Sequence, residues 1–514
     1  MPAAHGYSRS DIVETTLVVG LEIHVELSTR TRMFTRIANV AHRDHFDAPP
    51  NTLVDPVVMA LPGALPSMNK EAVERSMLVG MALNCRIPDE CRWDRKNYFY
   101  PDMPKGYQIS QYDLPLCVDG FLDIDSANGN TQRIGIIRAH LEEDAGKLGH
   151  DAPDGSTTDG SLVDLNRAGT PLLEIVTAPD FRNADDVITF ARELHTICCF
   201  LNVTEGIMQR GHMRFEPNVN LHIVTSDRER HVTPIVEMKN LNSFRSVHAA
   251  IEYESQRQIS AWLEDGQTHG SGMKVTRGWN DERGVSFVQR EKEDAHDYRY
   301  FPEPDLVPVR VSEEWRAAVR AQLPELPRAR RTRYIDELGL SPVDATVLSA
   351  DRRLCAFFED CVELLATSEG NALDAAKMLL NVVARIANER NVPIAELGLT
   401  PTQVVSIIAM RAHKRIGSTN VGELMEILVE HGDADTDPEA LATDRGMLQV
   451  SDTKALDEWI AQAVEAEPQS ASDFAAGKDA AIGRLMGAVM QRSGGQADAG
   501  LVRERLVQIL RDAP

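Results

Sequence analysis

The feature that most constrains the fold is a change of hydrophobic period part-way along the chain. Up to about Pro308 the sequence mixes strand-like alternation, Gly/Pro turns and a few helices, whereas beyond Ser312 it runs in helical periodicity with almost no strand signal. A period of two and a period near 3.6 belong to different elements, so the main border is expected near residue 308. Pro304 and Pro308 suit an extended linker there, and Ser312 suits the N-cap of the first helix beyond it. A weaker break is the polar stretch HGDADTDPEALATDRG (431–446), after which three short helices can be read. Leu456, Trp459, Ile460, Ala463 and Val464 make the apolar face of one. Phe474, Ile482, Leu485, Met486, Val489 and Met490 make a second, stopped by Gly494-Gly495, and Leu501, Leu506 and Ile509 a third. The expectation is an α+β chain: an α/β domain over 1–308, an all-helical domain over 309–448 and a small helical tail over 449–514.

With 514 residues, 43% of them hydrophobic, two to four cores can be filled. No stretch approaches the roughly 18–20 consecutive apolar residues of a membrane span, and the opening MPAAHGYSRSDIVE lacks a signal-peptide core, so the expected compartment is the cytoplasm, with no membrane contact. Cysteines 85, 91, 117, 198, 199, 355 and 361 are scattered without a CxxC pair and are expected as reduced thiols. Cys198 and Cys199 fall in a helical pattern whose apolar side carries Val187, Phe190, Leu194, Ile197 and Leu201, a core position rather than a ligand site. A net charge of −24 repels phosphate at long range, so any RNA contact must be local. Arg328, Arg330, Arg331 and Arg333 could touch RNA phosphate but read more readily as a solvated helix face.

Three segments concentrate chemistry. In LVVGLEIHVEL (17–27) odd positions are apolar, and Glu22, His24 and Glu26 alternate with them, which reads as a strand with three polar groups on one side, roughly 6–7 Å apart. That spacing suits metal ligands; a solvated outer sheet face is the competing reading. The run RAHLEEDAGK (138–147) packs three carboxylates, an imidazole and two cations into ten residues. Adjacent carboxylates repel unless a cation sits between them, and a hard ion such as Mg²⁺ takes one or two of them beside waters and phosphates; a charged surface turn is the alternative. The stretch RKNYFYPDMPKGYQISQY (95–112) mixes aromatics, prolines and lysines without a clear period and reads as a binding loop. There is no GxxxxGK[ST] loop, no Rossmann fingerprint, no HExxH and no amidase-like Gly/Ser-rich signature. Any nucleotide site is therefore of another kind, and ammonia, if used, must come from a partner.

With these strings in view, the chain resembles the B subunits of aspartyl/glutamyl-tRNA amidotransferases (GatB) over nearly its whole length. The shared strings include VVGLEIHVEL (18–27), LPGALPSMNKEAVE (61–74), RKNYFYPDMPKGYQISQYD (95–113), RAHLEEDAGK (138–147), LVDLNRAGTPLLEIVTAPD (162–180), EMKNLNSFRSV (237–247) and HDYRYFPEPDLVP (296–308). The tail, with GKDAAIGRLMGAVMQRSGGQA (477–497), is similar to YqeY-type domains. Phe34 to Ala60 contains no cysteine where zinc-binding members carry two CxxC pairs, so the likeness is to the zinc-less branch; a Leu-Arg-Cys-Asp string of many relatives reads Met213-Arg214-Phe215-Glu216 here.

The resemblance implies a cradle-shaped N-terminal domain with the kinase and amide-transfer site, helical and tail domains that grip tRNA, and a heterotrimer completed by an A-type amidase/glutaminase partner and a small C-type partner. The implied reaction is ATP-dependent amidation of misacylated Asp-tRNA(Asn), Glu-tRNA(Gln) or both, through a phosphorylated side-chain carboxylate. In this reading Mg²⁺ is held by Glu22, His24 and Glu142 or Glu143, with Lys96 and Lys105 as fixed cations and Arg138 and Glu216 at the nucleotide. Tyr98 helps the acids strip a proton from ammonium. Two competing readings are a catalytically silent tRNA-binding scaffold and a metal-dependent ligase for a small carboxylate without RNA.

Overall fold

The computed structural model describes residues 6–151, 157–270, 274–291, 298–431, 433–449, 453–494 and 496–511. The chain divides into two compact units, Met1–Leu326 and Pro327–Pro514.

In the first unit the strands are β1 (Ile12–Glu26), β2 (Glu90–Cys91), β3 (Asp94–Asn97), β4 (Tyr107–Ser110), β5 (Cys117–Asp125), β6 (Thr131–Glu143), β7 (Lys147–Asp151), β8 (Thr157–Asp164), β9 (Pro171–Thr177), β10 (Met213–Thr225), β11 (Arg230–Val232), β12 (Ile235–Lys239), β13 (Lys274–Asn280), β14 (Val285–Glu291), β15 (Phe301–Pro302) and β16 (Val309–Arg310). Its helices are α1 (Lys70–Ala82), α2 (Ala184–Phe200), α3 (Phe244–Asp265) and α4 (Glu313–Arg320). Twelve strands form one sheet with the path β14-β13-β12-β10-β1-β9-β6-β4-β3-β15, β11 and β5 pairing beside it; β7 and β8 form a separate hairpin.

Strand alternation sorts this sheet into two faces. Val19, Leu21, Ile23 and Val25 of β1, Phe215 of β10, Leu173 and Ile175 of β9, and Ala139 and Leu141 of β6 are buried in one apolar core with α1, α2 and α3. Each large side chain so buried contributes roughly 1.5–3 kcal/mol, and losing one leaves a cavity as well. The helices begin where short polar side chains cap them: Asn183 accepts from the Asp186 amide at 2.8 Å and Ser243 from the Ser246 amide at 3.0 Å. Val187, Phe190, Leu194, Ile197 and Cys198 lie in the core, as their spacing predicts.

Two expectations are corrected here. Ser312 does cap a helix, accepting from the Trp315 amide at 3.2 Å, but that helix, α4, belongs to the first unit. Val309, Val311 and Val319 enter the apolar core around the sheet, β16 pairs with β2, and Trp315 Nε1 donates to Glu74 of α1 at 2.8 Å. The break therefore comes after Leu326, later than the border expected near residue 308: the change of period marks a change of element, and packing decides which core the element joins. The aperiodic stretch 95–112 is also partly sheet, because β3 and β4 pair antiparallel from Asp94↔Ser110 to Asn97↔Tyr107 around the loop 98–106.

The second unit is helical: α5 (Pro327–Asp336), α6 (Pro342–Leu348), α7 (Arg352–Leu365), α8 (Ala372–Lys377), α9 (Ala384–Arg390), α10 (Pro401–Ala412), α11 (Ser418–His431), α12 (Pro438–Asp444), α13 (Thr453–Ala466), α14 (Pro468–Ala475), α15 (Ile482–Arg492) and α16 (Ala499–Arg511). It holds two separate apolar cores, one spanning Tyr334 to Met447 and one spanning Leu456 to Leu506. Arg330 and Arg333 of α5 both pair with Glu359 of α7. Among the described residues the tail contains four helices rather than three. Phe474 and Ile482 sit on different ones, because Gly477 at φ +93° ends α14 before a short turn starts α15. On α16 the core is made by Val502 and Leu506, while Leu501 and Ile509 are exposed. Gly495 lies outside the described residues.

Candidate active site

The helix-free face of the sheet carries the chemistry. Residues paired across antiparallel strands project to the same side, so the register builds polar rows over neighbouring strands. One row is Arg214 (β10), His24 (β1), Glu174 (β9) and His140 (β6). The next contains Glu216, Glu22, Val176 and Arg138, and the one on the other side contains Glu26, Leu172, Glu142 and Ser110. Lys96, paired with Gln108, falls on this face, as do Glu237 and Lys239 of β12. The two expected segments thus converge, but through the intervening strand β9.

Glu174 is the hinge of the arrangement. Its Oε2 lies 3.5 Å from His24 Nε2 and 3.7 Å from His140 Nε2. Among the described residues, three groups bring possible ligand atoms within 4.8 Å of one another: Glu22–His24–Glu174, His140–Glu142–Glu174 and Glu22–Glu216–Glu237. The donor set fits a divalent cation, since each group has at least two carboxylates. The Nδ1 atoms of His24 and His140 are also buried without a hydrogen-bond partner. The face suits phosphate too, because Arg138 Nε and Arg214 Nε are buried and unpartnered.

Electrostatics divides the two imidazoles. Burial opposes a charge on His24, but the hydrogen bond to Glu174 and the charge of Glu216 prevail over Arg214 and lift its pKa to about 9. Burial lowers His140, and Arg138 and Lys96 add to it against Glu174, leaving it at about 4. Burial also raises Glu142, helped by the Glu174 charge and opposed by Lys96, to about 7. Burial disfavours the Lys96 ammonium, yet Glu142 and Glu174 hold its pKa above the ordinary lysine value. Its Nζ lies 5.1 Å from the Tyr298 ring, and Tyr300 stacks on Tyr112 at 4.2 Å nearby in sequence.

Residues 17–317 match the family profile of the GatB/GatE catalytic domain, and residues 356–510 that of the GatB domain. The chain belongs to the GatB family. Among curated relatives, the B subunit of the aspartyl/glutamyl-tRNA(Asn/Gln) amidotransferase of Caldicellulosiruptor bescii is 41% identical over 497 residues, covering 96% of this chain and 98% of the relative. The proteins of the same name from Rhodopirellula baltica and Geobacter sulfurreducens are 41% and 42% identical, each over 96% of this chain and 97% and 99% of their own lengths.

Within this GatB-family chain, Glu22, His24, Lys96, Arg138, Glu142 and Glu216 share one face, and Glu216 is held by Lys239. Two expected residues stand apart from the metal groups. Glu143 points to the opposite side of β6 from Glu142; its Oε1 accepts from the Ile109 amide at 2.9 Å and pairs with Lys105, so it joins none of the three ligand groups. Lys105 is correspondingly committed to Glu143 rather than to the metal groups. Burial raises the Tyr98 phenol above its ordinary value in spite of Lys96.

Sequence reasoning gave no role to Glu174, Arg214, Glu237 or Lys239. The signal for Glu174 was there: it is the one charge in the buried apolar run PLLEIVT, and a buried charge needs partners. Glu26 and Asp144 form a second acid pair beside it. Arg214 Nη2 lies 3.2 Å and Arg167 Nε 3.5 Å from Asp144 Oδ2.

Proposed function

We propose that this chain is the component of a tRNA-dependent amidotransferase that converts Asp-tRNA(Asn), Glu-tRNA(Gln) or both to the amidated forms. The observation that carries the reading is the row Arg214–His24–Glu174–His140 on the polar sheet face, in a chain whose family relatives are named for this reaction. A side-chain carboxylate is inert to ammonia until an oxygen becomes a leaving group. Transfer of the γ-phosphoryl group of ATP to it gives an acyl phosphate and ADP; attack by ammonia then gives the amide and inorganic phosphate.

Lys96, Arg138 and Arg214 supply cationic donors for the phosphate oxygens. Glu22, His24 and Glu174 would hold Mg²⁺, which when bound screens charge on the transferring phosphoryl oxygens. Glu142, at about 7 and hydrogen-bonded to Ser110 Oγ at 3.3 Å, accepts the proton released as ammonia attacks. Ammonia comes from hydrolysis of glutamine in an A-type glutaminase partner, with a small C-type partner completing the complex in the cytoplasm. The local cationic contacts and the acidic total favour moderate salt sensitivity of tRNA binding.

The test is reconstitution with candidate A-type and C-type partners, measuring ADP and amidated product with and without each misacylated tRNA. Release of ADP only with misacylated tRNA is expected. A version ending at Gln449, before the tail core of Leu456 to Leu506, should lose tRNA-dependent turnover; a small-carboxylate ligase would keep it, and that result would overturn the reading.

A further inference from the structure

On the other side of the sheet from the polar rows, a cavity of about 300 Å³ opens between the C-terminal half of α3 and strands β12 to β14. Its size falls at the lower end of the range for small-molecule pockets. The walls are apolar: Pro234, Val236, Val275, Val288 and Trp262. Trp262 is fixed in place, stacked on Tyr7 at 5.7 Å and packed on His231 at 4.9 Å; it is buried, so it closes the floor of the cavity and only its edge meets the open space.

One end of the cavity is cationic. Arg257 and Arg277 both line it, and both turn to a single carboxylate, Glu254, which is fully buried. Arg257 grips Glu254 through Nε at 2.9 Å and Nη2 at 2.6 Å. Arg277 Nε is 3.9 Å from the same carboxylate, and Arg277 gives its Nε and Nη2 hydrogens to Ser286 at 2.7 and 2.9 Å. Two guanidinium charges thus face one carboxylate in the interior, and neither Nη1 donates to another described residue. Asp265 is exposed at the rim, with Oδ1 taken by the Gln267 amide at 2.9 Å. Burial and the neighbouring Arg257 charge lower Arg277 below the ordinary arginine value, whereas Arg257, against its burial, is raised by Glu254 with help from Asp265, so Arg277 is the less compensated of the two.

We propose that this cavity is a binding site for a small carboxylate with an aromatic or branched apolar body. The carboxylate accepts from the Nη1 groups of Arg257 and Arg277, and the body lies against Pro234 and the valines, above the edge of Trp262. The site is separate from the amidation chemistry and does not depend on that reading. It is tested by calorimetric titration of the full chain with 2-naphthoate and with its uncharged analogue 2-naphthalenemethanol. Saturable single-site binding of the acid is expected, with the alcohol weaker by about tenfold or more. Arg277→Gln should weaken the acid by a similar factor. Ala261→Phe, which fills the cavity from a half-buried helix position, should abolish binding and decides the matter if the arginine variant does not fold. No saturable binding of the acid, equal affinity for acid and alcohol, or undiminished binding to Ala261→Phe would each overturn the proposal.

Discussion

Replacing Glu174 by glutamine isolates the role of the residue on which the two expected segments meet. The change keeps the shape and removes one negative charge from a position 3.5 Å from His24 Nε2 and 3.7 Å from His140 Nε2, shared by two of the three ligand groups. A unit charge pair at about 4 Å is worth about 4 kcal/mol at an effective dielectric near 20. A divalent ion doubles the attraction, while the amide oxygen and ion hydration return part of it, so about 4 kcal/mol is a reasonable net loss. That corresponds to roughly a thousandfold weaker cation binding. Mn²⁺ serves as the probe, titrated into the purified chain and followed by electron paramagnetic resonance, with thermal melting as the check on folding. The same variant, free of metal, should lower the His24 pKa from about 9, because Glu174 supplies the largest favourable contribution to its charged form; imidazole NMR shifts report it. A Glu174→Gln chain that melts like the parent, binds Mn²⁺ within threefold of it and keeps His24 near 9 would refute the assignment.

Glu143→Gln removes the buried partner of Lys105 and should cost about 3 kcal/mol in stability while leaving Mn²⁺ affinity within a few-fold; a metal-binding loss as large as that of Glu174→Gln would return Glu143 to the ligand set. Glu26 has its pKa raised from 4.5 to about 8 by burial and Asp144, against Arg167 and Arg214. The folded state therefore keeps a proton that the unfolded chain releases between those values, and stability should fall as pH rises through that window, by up to about 1.4 kcal/mol per pH unit. Glu26→Gln should flatten the slope in urea melts, and an unchanged slope would count against a raised carboxyl there. A Cβ at Gly120 would sit 2.6 Å from the Leu83 carbonyl oxygen, so Gly120→Ala should lower stability by about 1–3 kcal/mol; an unchanged melting temperature would contradict that packing of α1 on β5.

What could be read from the sequence was whatever depends on neighbours along the chain. The alternation of LVVGLEIHVEL fixed Glu22 and His24 to one side of a strand, the α2 spacing put Cys198 in the core, and Ser312 was legible as a cap because its partner amide is three residues away. The long family strings carried the activity, and with it the acids worth testing.

What only tertiary structure decided was which of those local pieces share a surface. Glu142 and Glu143 are adjacent and chemically alike, yet a strand sends them to opposite sides, and only the register of β6 with β9 and β4 assigns Glu142 to the His140–Glu174 row and Glu143 to Lys105. Glu174 lies in an apolar run and becomes a site residue because β9 is inserted between β1 and β6. The edge of the first unit moved to Leu326 for the same reason: helical period is a property of α4 alone, whereas the core it enters is made by residues from Val19 to Trp279 that are far away in sequence. Periodicity is local and therefore written in the chain; strand order and register are set by long-range burial, which no single segment contains.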